Sequence, residues 1–242
     1  FLYLLSEYIE GISLKQWMID NPKPTIHQVR TIIGQTVKGL QAFHRQEMIH
    51  QDLRPNNIMI DKAGTVKIID FGATQVGGVM DIGQNREANE IKGTAQFTAP
   101  EYYLGEGGST RSDIFSLGVI TYQMLTGTLP YGTSVSKVKT GRDLQKLVYQ
   151  SILEEQHQLP PWVDDAIKKA VHVDPLKRYS EVSEFVYDLN SPNTALTPTA
   201  RSLCERLSAS VLSFISVAVD LTRSKRSRAY STASPDISNI LI

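Results

Sequence analysis

The chain contains only one cysteine, Cys204, among its 242 residues. A single cysteine cannot form an internal disulfide, and it cannot supply the thiolates of a cysteine-based zinc site. The chain also lacks an excess of either charge, because 25 basic residues balance 25 acidic ones. This balance gives no reason to expect nucleic acid or another polyanion as the main partner. Because the chain cannot form an internal disulfide, we expect a protein of a reducing, cytoplasmic compartment.

Long apolar runs are scarce as well. The sequence opens at Phe1 without an initiator Met or a charged segment before an apolar stretch, and from this pattern we expect no signal peptide. Residues 207–219 are uncharged, but these thirteen residues include four serines and are too few to cross a bilayer. We expect residues 194–242 to form a poorly ordered tail. The alternative, which we do not favour, is a weak interfacial helix that contacts a membrane through the basic residues 223–228.

The hydrophobic pattern predicts a mainly helical domain with a small sheet, an α+β fold. An apolar run predicts a strand at residues 1–9, and further short runs predict strands at 48–49, 58–60 and 66–69, the last two as a hairpin. Apolar stripes, with Thr25 as an N-cap and Gly127 as a stop, predict helices at 13–19, 25–45, 113–125, 141–155, 161–172 and 180–189. Residues 73–98 show no periodicity, and we expect a mobile functional loop there.

Two polar motifs lie on either side of the predicted hairpin. Residues 50–57 read HQDLRPNN and residues 70–72 read DFG. A lone Asp-Phe-Gly is more often a turn, and a lone His-x-Asp is more often a loop. Here, however, Asn57 follows Asp52 by five residues and Asp70 follows Asn57 by thirteen. In this order and spacing the two motifs resemble the catalytic loop and the metal-binding motif of protein kinases.

The resemblance implies a site for phosphoryl transfer. Transfer to a hydroxyl needs a carboxylate that orients the nucleophile and accepts its proton, and Asp52 has this position. Asn57 and Asp70 offer the oxygen ligands that Mg²⁺ prefers, and the metal would be held against the phosphates of ATP. Arg54 would add a cation near the transferred group. The expected catalytic residues are Asp52, Arg54 and Asn57, the expected metal ligands are Asn57 and Asp70, and the expected cofactors are ATP and Mg²⁺.

The resemblance extends over residues 1–190. Residues 93–101, GTAQFTAPE, are similar to the end of a kinase activation segment, and residues 112–118, SDIFSLG, look like the start of the central kinase helix. The resemblance implies that Thr94 hydrogen-bonds the catalytic loop and that Asp113 braces the backbone of this loop. It also implies a buried ion pair between Glu101 and Arg178.

By the same resemblance, residues 6–9 form the hinge between two lobes, with Ser6 at the gatekeeper position. Backbone groups of Glu7 and Ile9 would face adenine, and Met59 would form the floor of the adenine pocket. Ordinary core packing explains Met59 equally well. His50 and Phe71 would pack in the regulatory stack of a kinase. The expected organisation is a last N-lobe strand with hinge at 1–12, a helical C-lobe at 13–193 and a tail at 194–242, with most of the N-lobe missing.

Three features depart from the family pattern. Gln51 stands where many kinases have an Arg that pairs with a phosphorylated activation loop, and a neutral amide cannot supply that charge. Arg54 stands where Ser/Thr kinases usually have Lys, whereas the following Pro55 still favours Ser/Thr over Tyr specificity. No Gly-rich loop, strand Lys or partner Glu precedes the hinge. We therefore expect a fragment of a longer kinase that by itself binds ATP weakly and transfers phosphate poorly.

The favoured function is that of a protein Ser/Thr kinase, with protein hydroxyls as substrate and with membrane association left open for the full-length parent. The alternative is a catalytically inactive, kinase-like scaffold that binds a partner, but such a scaffold would not need Asp52, Asn57 and Asp70. Small-molecule kinases use the same types of polar residues for phosphoryl transfer. They are not expected to carry residues 93–101 followed by Ser112 and Asp113, which build a platform for a protein substrate.

Overall fold

The computed structural model describes residues 7–70, 74–76, 96–154 and 159–192 of the chain. Seven helices and five strands lie within these ranges. The helices are α1 (Leu14–Asp20), α2 (Ile26–Arg45), α3 (Pro100–Tyr103), α4 (Thr110–Thr126), α5 (Gly141–Leu144), α6 (Pro161–Ala170) and α7 (Val182–Asn190). The strands are β1 (Gly11–Ser13), β2 (Met48–Ile49), β3 (Ile58–Asp61), β4 (Val66–Ile68) and β5 (Gln75–Val76).

The long helix α2 begins as its sequence predicts. The Thr25 hydroxyl accepts from the backbone N–H of Gln28, and the Gln28 side chain reaches back to the Thr25 N–H, so two N–H groups at the helix end are satisfied. Val29, Ile33 and Leu40 of the apolar stripe are fully buried. The predicted helix 25–45 is therefore confirmed.

Helix α4 lies at the centre of the core and is buried on nearly all sides. Ser109 and Ser112 form a capping box at its start, and Gly127 ends it with a left-handed backbone, φ 74°. Helices α2 and α6 pack against α4, and α7 packs against α2 and α6. The helical layer therefore surrounds α4, as its apolar composition predicts.

Two small antiparallel sheets lie beside the helices. Strands β1, β3 and β4 form one sheet in that order, and β2 pairs with β5 to form the other. In the β3–β4 hairpin, Ile58 lies opposite Ile68 and Ile60 opposite Val66. The predicted hairpin is confirmed, whereas β5 and the short helix α3 were not predicted from the sequence.

The predicted strand at 1–9 is wrong over its described part. Residues 7–10 are not in a strand, Tyr8 is 88% exposed, and residues 1–6 lie outside the described part of the chain. The strand begins instead at Gly11, which lies opposite Asp61. A Cβ atom at Gly11 would come within 2.1 Å of the Ile60 carbonyl oxygen, so only glycine permits this close pairing.

The predicted helix at 141–155 is also wrong, because α5 covers only Gly141–Leu144. Buried Asp164 on α6 explains the difference. Its carboxylate accepts hydrogen bonds from the Tyr149 hydroxyl at 2.8 Å, the Ser151 hydroxyl at 2.8 Å and the Ile152 N–H at 2.9 Å. The Gln150 N–H also donates to the Pro130 carbonyl at 2.9 Å. These tertiary bonds hold residues 149–151 out of a helix and against the core, and only a short 3-10 helix, Ile152–Glu154, follows them.

The remaining sequence predictions have different outcomes. The helices predicted at 13–19, 161–172 and 180–189 are found as α1, α6 and α7, with ends that differ by one or two residues. Backbone contacts divide the chain between Leu196 and Thr197, and the second unit lies wholly outside the described residues. The domain boundaries and the predicted tail therefore stay predictions. No described helix combines the length and the apolar character that a bilayer crossing requires.

Candidate active site

The polar loop of residues 50–57 is anchored to the core through Asp113. This carboxylate is 1% exposed and lies in the first turn of α4. It accepts hydrogen bonds from the backbone N–H groups of His50 and Gln51, both at 2.9 Å, and contacts Nε2 of His44 at 2.9 Å. The expectation that Asp113 braces the loop backbone is confirmed.

Gln51 has a left-handed backbone with φ 66°, which is rare for a residue other than glycine. Such a conformation costs free energy and persists where surrounding contacts fix it. Here the hydrogen bond to Asp113 and the burial of Leu53 and Pro55 fix both sides of the turn. The loop therefore presents Asp52 from a rigid support.

Asp52, Arg54 and Asn57 meet within this loop. The Asn57 side-chain amide donates to the Asp52 carbonyl at 2.8 Å and to the carboxylate oxygen Oδ2 of Asp52 at 3.1 Å. Arg54 Nε lies 3.4 Å from the same Oδ2. The other carboxylate oxygen, Oδ1, makes no hydrogen bond within the described residues, so it can accept a proton from an approaching hydroxyl.

The β3–β4 hairpin brings Asp70 to the same place. Asn57 directly precedes β3, and the Ile69 N–H, which follows β4, donates to the Asn57 carbonyl at 2.8 Å. Asp70 is the next residue, is exposed, and has a left-handed backbone with φ 64°. The sequence prediction that the hairpin juxtaposes Asn57 and Asp70 is therefore confirmed at the level of the backbone.

The donor atoms fit a magnesium ion. Because Nδ2 of Asn57 is committed to Asp52, the amide oxygen Oδ1 faces away and makes no hydrogen bond to a described residue. This oxygen and the Asp70 carboxylate are hard ligands of the kind that Mg²⁺ binds together with waters and phosphates. Within the described ranges no group of three or more His, Cys, Asp or Glu side chains could hold a metal by protein ligands alone.

The predicted adenine-facing residues lie beside the three-stranded sheet. Met59 is half-buried in β3, opposite Ser13 of β1 and Lys67 of β4. The Lys67 ammonium contacts the Glu7 carboxylate, so Glu7 lies near the part of the sheet that contains Met59. Ile9 is half-buried between Tyr8 and Glu10, which are both exposed. The structure thus groups Glu7 and Met59, and the assignment of Glu7, Ile9 and Met59 to adenine stays a prediction.

A buried ion pair holds the segment that follows the site. Arg178 makes a bidentate pair with Glu101, with both nitrogen–oxygen distances at 2.8 Å, and the Ser112 hydroxyl donates to Glu101 at 2.7 Å. Burial raises the pKa of the Glu101 carboxyl, but the hydrogen bonds and the charge of Arg178 outweigh it and keep this pKa below its ordinary value. The predicted Glu101–Arg178 pair is confirmed.

Two further contacts that position this segment were not predicted from the sequence. The Ser116 hydroxyl on α4 donates to the Phe97 carbonyl at 2.7 Å, and the Arg178 guanidinium lies 4.8 Å from the centre of the Phe115 ring. Ser112 and Ser116 stand four residues apart on α4, and this spacing is the signal that could have indicated the contact of Ser116. Of the other predicted residues, Ser6, Phe71, Gly72 and Thr94 lie outside the described residues.

Comparisons with known proteins agree with this geometry. The protein kinase domain matches residues 1–190. A probable serine/threonine-protein kinase of Clostridium perfringens is 31% identical over 201 residues, which cover 81% of this chain and 28% of that protein. The serine/threonine-protein kinase PrkC of Bacillus subtilis is 28% identical over 189 residues, 78% of this chain and 28% of that protein.

A third relative has a similar identity and coverage. The serine/threonine-protein kinase PknB of Mycobacterium tuberculosis is 29% identical over 206 residues, which cover 82% of this chain and 31% of that protein. The chain thus spans less than a third of the length of these curated relatives.

Proposed function

The chain belongs to the protein kinase family, and from this premise we propose that it transfers the γ-phosphate of ATP to Ser or Thr hydroxyls of proteins. The observation that carries the proposal is the meeting of Asp52, Asn57 and Asp70 at one end of the β3–β4 hairpin. Asp52 Oδ1 accepts no hydrogen bond from a described residue, and the backbone brings Asn57 and Asp70, which carry two further oxygen ligands, to the same end of the hairpin. This is the donor set that phosphoryl transfer requires.

In this proposal Asp52 positions the attacking hydroxyl and receives its proton on Oδ1. Asn57 holds the Asp52 carboxylate through Oδ2, which fixes the direction in which Oδ1 points. Because positioning and charge stabilisation provide most of the catalysis of phosphoryl transfer, a fixed carboxylate matters more than a strongly basic one. The anchoring of this loop by Asp113 serves the same purpose.

Asn57 Oδ1 and the Asp70 carboxylate would hold Mg²⁺, which neutralises charge on the phosphates of ATP when it is bound. Arg54 contributes a positive charge beside Asp52 Oδ2, at 3.4 Å. We propose that Glu7 and Ile9 offer backbone groups to adenine and that Met59 packs against it. The substrate is a protein with Ser or Thr, and the single cysteine fits a cytoplasmic location.

The test is a phosphorylation assay with γ-labelled ATP and a generic basic protein that contains Ser and Thr. It uses the gene product with any sequence upstream of Phe1, this 242-residue chain, and an Asp20→Asn control of the longer product. Asp20 is an exposed residue of α1 whose side chain accepts a hydrogen bond from Gln16 and from no other described residue. We expect the longer product and its control to label Ser and Thr equally, and the 242-residue chain to label them poorly.

The opposite result would be a longer product that is inactive with magnesium and with manganese. Such a protein would be a kinase-like scaffold that binds partners without catalysis. Labelling of tyrosine alone would contradict the Ser/Thr assignment, which also depends on Pro55.

A further inference from the structure

A cavity of about 400 Å³ lies next to the catalytic loop, outside the cluster of Asp52, Asn57 and Asp70. Its apolar lining comes from four elements that the core holds in place. Pro55 belongs to the catalytic loop, Met18 to α1, Phe97 to the segment before α3, and Met124 to α4. Pro55, Phe97 and Met124 are buried, so the floor of the cavity is rigid.

The cavity lies close to the proposed site of transfer. Pro55 and Asn56, which both line it, follow Asp52 by three and four residues on the same loop. Four residues of chain span at most about 14 Å, and an extended peptide covers this distance with about four residues. A protein segment whose hydroxyl approaches Asp52 can therefore place a neighbouring side chain in the cavity.

The described polar residues that line the cavity include a positive charge but no negative charge. Lys15 is the cation of the lining, and Asn21, Asn56, Gln96 and Gln123 add neutral amides. No carboxylate belongs to the lining that the structure describes. Lys15 is exposed and makes no ion pair with a described residue. Amide N–H groups and an ammonium can all donate to an anion, whereas a cationic side chain would find no opposite charge here.

We propose that this cavity binds an anionic side chain of the protein substrate, located within about four residues of the hydroxyl that receives phosphate. The proposal rests on the proposed kinase function and adds a preference for acidic substrate sequences. The aliphatic part of the anionic side chain packs on Met18 and Met124, and its charged end contacts Lys15 and the amides. An aspartate or glutamate and a previously phosphorylated serine share this chemistry.

The first arm of the test measures binding without catalysis. Fluorescein-labelled peptides of about nine residues carry one central Thr and, at each other position in turn, Glu, phosphoserine, Ala or Arg. Their dissociation constants for the intact protein are measured by fluorescence anisotropy at low ionic strength, where exposed charges are least screened. We expect Glu peptides to bind about three- to tenfold more tightly than Arg peptides at one or two positions within four residues of the Thr.

The second arm assigns this preference to the cavity. Lys15→Glu should abolish or reverse it, because the charge is reversed, and Lys15→Arg should retain it, because the positive charge is kept. Lys23→Glu is the matched control, since Lys23 is exposed near the cavity but does not line it. A preference for Arg peptides in the unmodified protein, or an equal loss in Lys15→Glu and Lys23→Glu, would overturn the proposal.

The experiments can contradict the kinase function and the anionic-side-chain proposal independently of each other. Phosphorylation of the Thr peptides with no advantage for Glu or phosphoserine would leave the kinase function intact and overturn the anionic-side-chain proposal. Selective binding of Glu peptides by the longer gene product, without phosphorylation by that product, would support the cavity assignment and contradict the kinase function. Stronger binding of phosphoserine than of Glu would identify a phosphorylated substrate as the preferred source of the anion.

Discussion

At the scale of single residues, Asp113 both stabilises the fold and positions the residues of the candidate site. One buried carboxylate satisfies two backbone N–H groups of the catalytic loop and contacts His44, and it holds Gln51 in its left-handed conformation. Asp52 and Asn57 depend on this anchor for their orientation, because they lie on the same loop. In the proposed function, the orientation of the site therefore depends on a residue that does not touch the reacting atoms.

Replacing Asp113 with Ala should destabilise the chain and slow phosphoryl transfer. The buried N–H of His50 and the partly buried N–H of Gln51 lose their acceptor, and an unsatisfied buried group costs about 1–3 kcal/mol. Urea denaturation measures the free energy of unfolding, and the transfer assay measures the rate. Asp20→Ala serves as the control, and we expect it to change the free energy of unfolding by less than about 0.5 kcal/mol. An Asp113→Ala variant as stable as this control would contradict the anchoring role.

Asp70→Asn tests the metal ligands. An amide keeps the shape of the side chain but removes its negative charge, so the affinity for Mg²⁺ in the presence of ATP should fall. The measurement is the magnesium concentration that gives half-maximal transfer, which should rise by about tenfold or more in the variant. An unchanged magnesium requirement would show that Asp70 does not bind the metal.

At the scale of elements, the contact between α4 and α6 determines how closely the central helix approaches its neighbours. Gly118 of α4 lies against α6 and the residue that follows it. A Cβ atom there would come within 2.7 Å of Val171 Cγ1 and 2.9 Å of Ala170 Cβ. The small residue is therefore required for packing, although its backbone is ordinary helix.

Gly118→Ala should destabilise the chain by about 1–3 kcal/mol, because the added methyl group overpacks the α4–α6 contact. Gly34→Ala is the matched control. Gly34 lies within α2 and has open space around its missing Cβ, so the same substitution should stabilise the chain by about 0.5–1 kcal/mol through helix propensity. Equal effects in the two variants, measured by urea denaturation, would contradict this account of the helix contact.

The Glu101–Arg178 pair joins α3 to the segment before α7, and it predicts a dependence of stability on pH. The folded chain keeps the pKa of Glu101 below its ordinary value of 4.5. This carboxylate therefore contributes stability that is present above about pH 4.5 and is lost as the pH falls through the lower folded pKa. The wild-type chain should lose this part of its free energy of unfolding in acid.

Glu101→Gln isolates that contribution. At pH 7 it should cost about 3–5 kcal/mol, because Arg178 is left buried without its anionic partner. The difference from the wild type should shrink as the pH falls from about 4.5, where Glu101 of the unfolded chain becomes protonated, through the lower pKa of the folded chain. Glu184→Gln, at an exposed position of α7, is the control for a general effect of charge. A difference that stays constant from pH 7 to pH 3 would contradict the assignment.

The sequence predicts elements well where local pattern and tertiary packing agree. Helix α2 carries its own cap and stripe, and the β3–β4 hairpin carries its own turn, so both were predictable. Residues 141–155 have a helical pattern, but the hydrogen bonds to Asp164 from Tyr149, Ser151 and Ile152 outweigh it. Propensity alone cannot reveal a partner that lies more than ten residues away in another helix.

At the scale of the whole molecule, the order and spacing of the polar motifs predict the site better than they predict the elements that support it. Asp52, Asn57 and Asp70 were predicted from the sequence as site residues, and the hairpin brings the backbone of Asn57 and Asp70 together. The acid-poor cavity beside them could not be predicted, because its lining comes from α1, the catalytic loop, the segment before α3 and α4. Such a surface exists only after these distant segments have packed.

The central claim is that Asp52 accepts the proton in transfer of phosphate from ATP to a protein hydroxyl. Its most direct test compares single-turnover transfer of γ-labelled phosphate by the longer gene product and by its Asp52→Asn variant, together with the affinity of each for ATP. We predict a rate lower by about 10²–10⁴-fold in Asp52→Asn, with the affinity for ATP unchanged. A variant that transfers phosphate at the wild-type rate would contradict the claim.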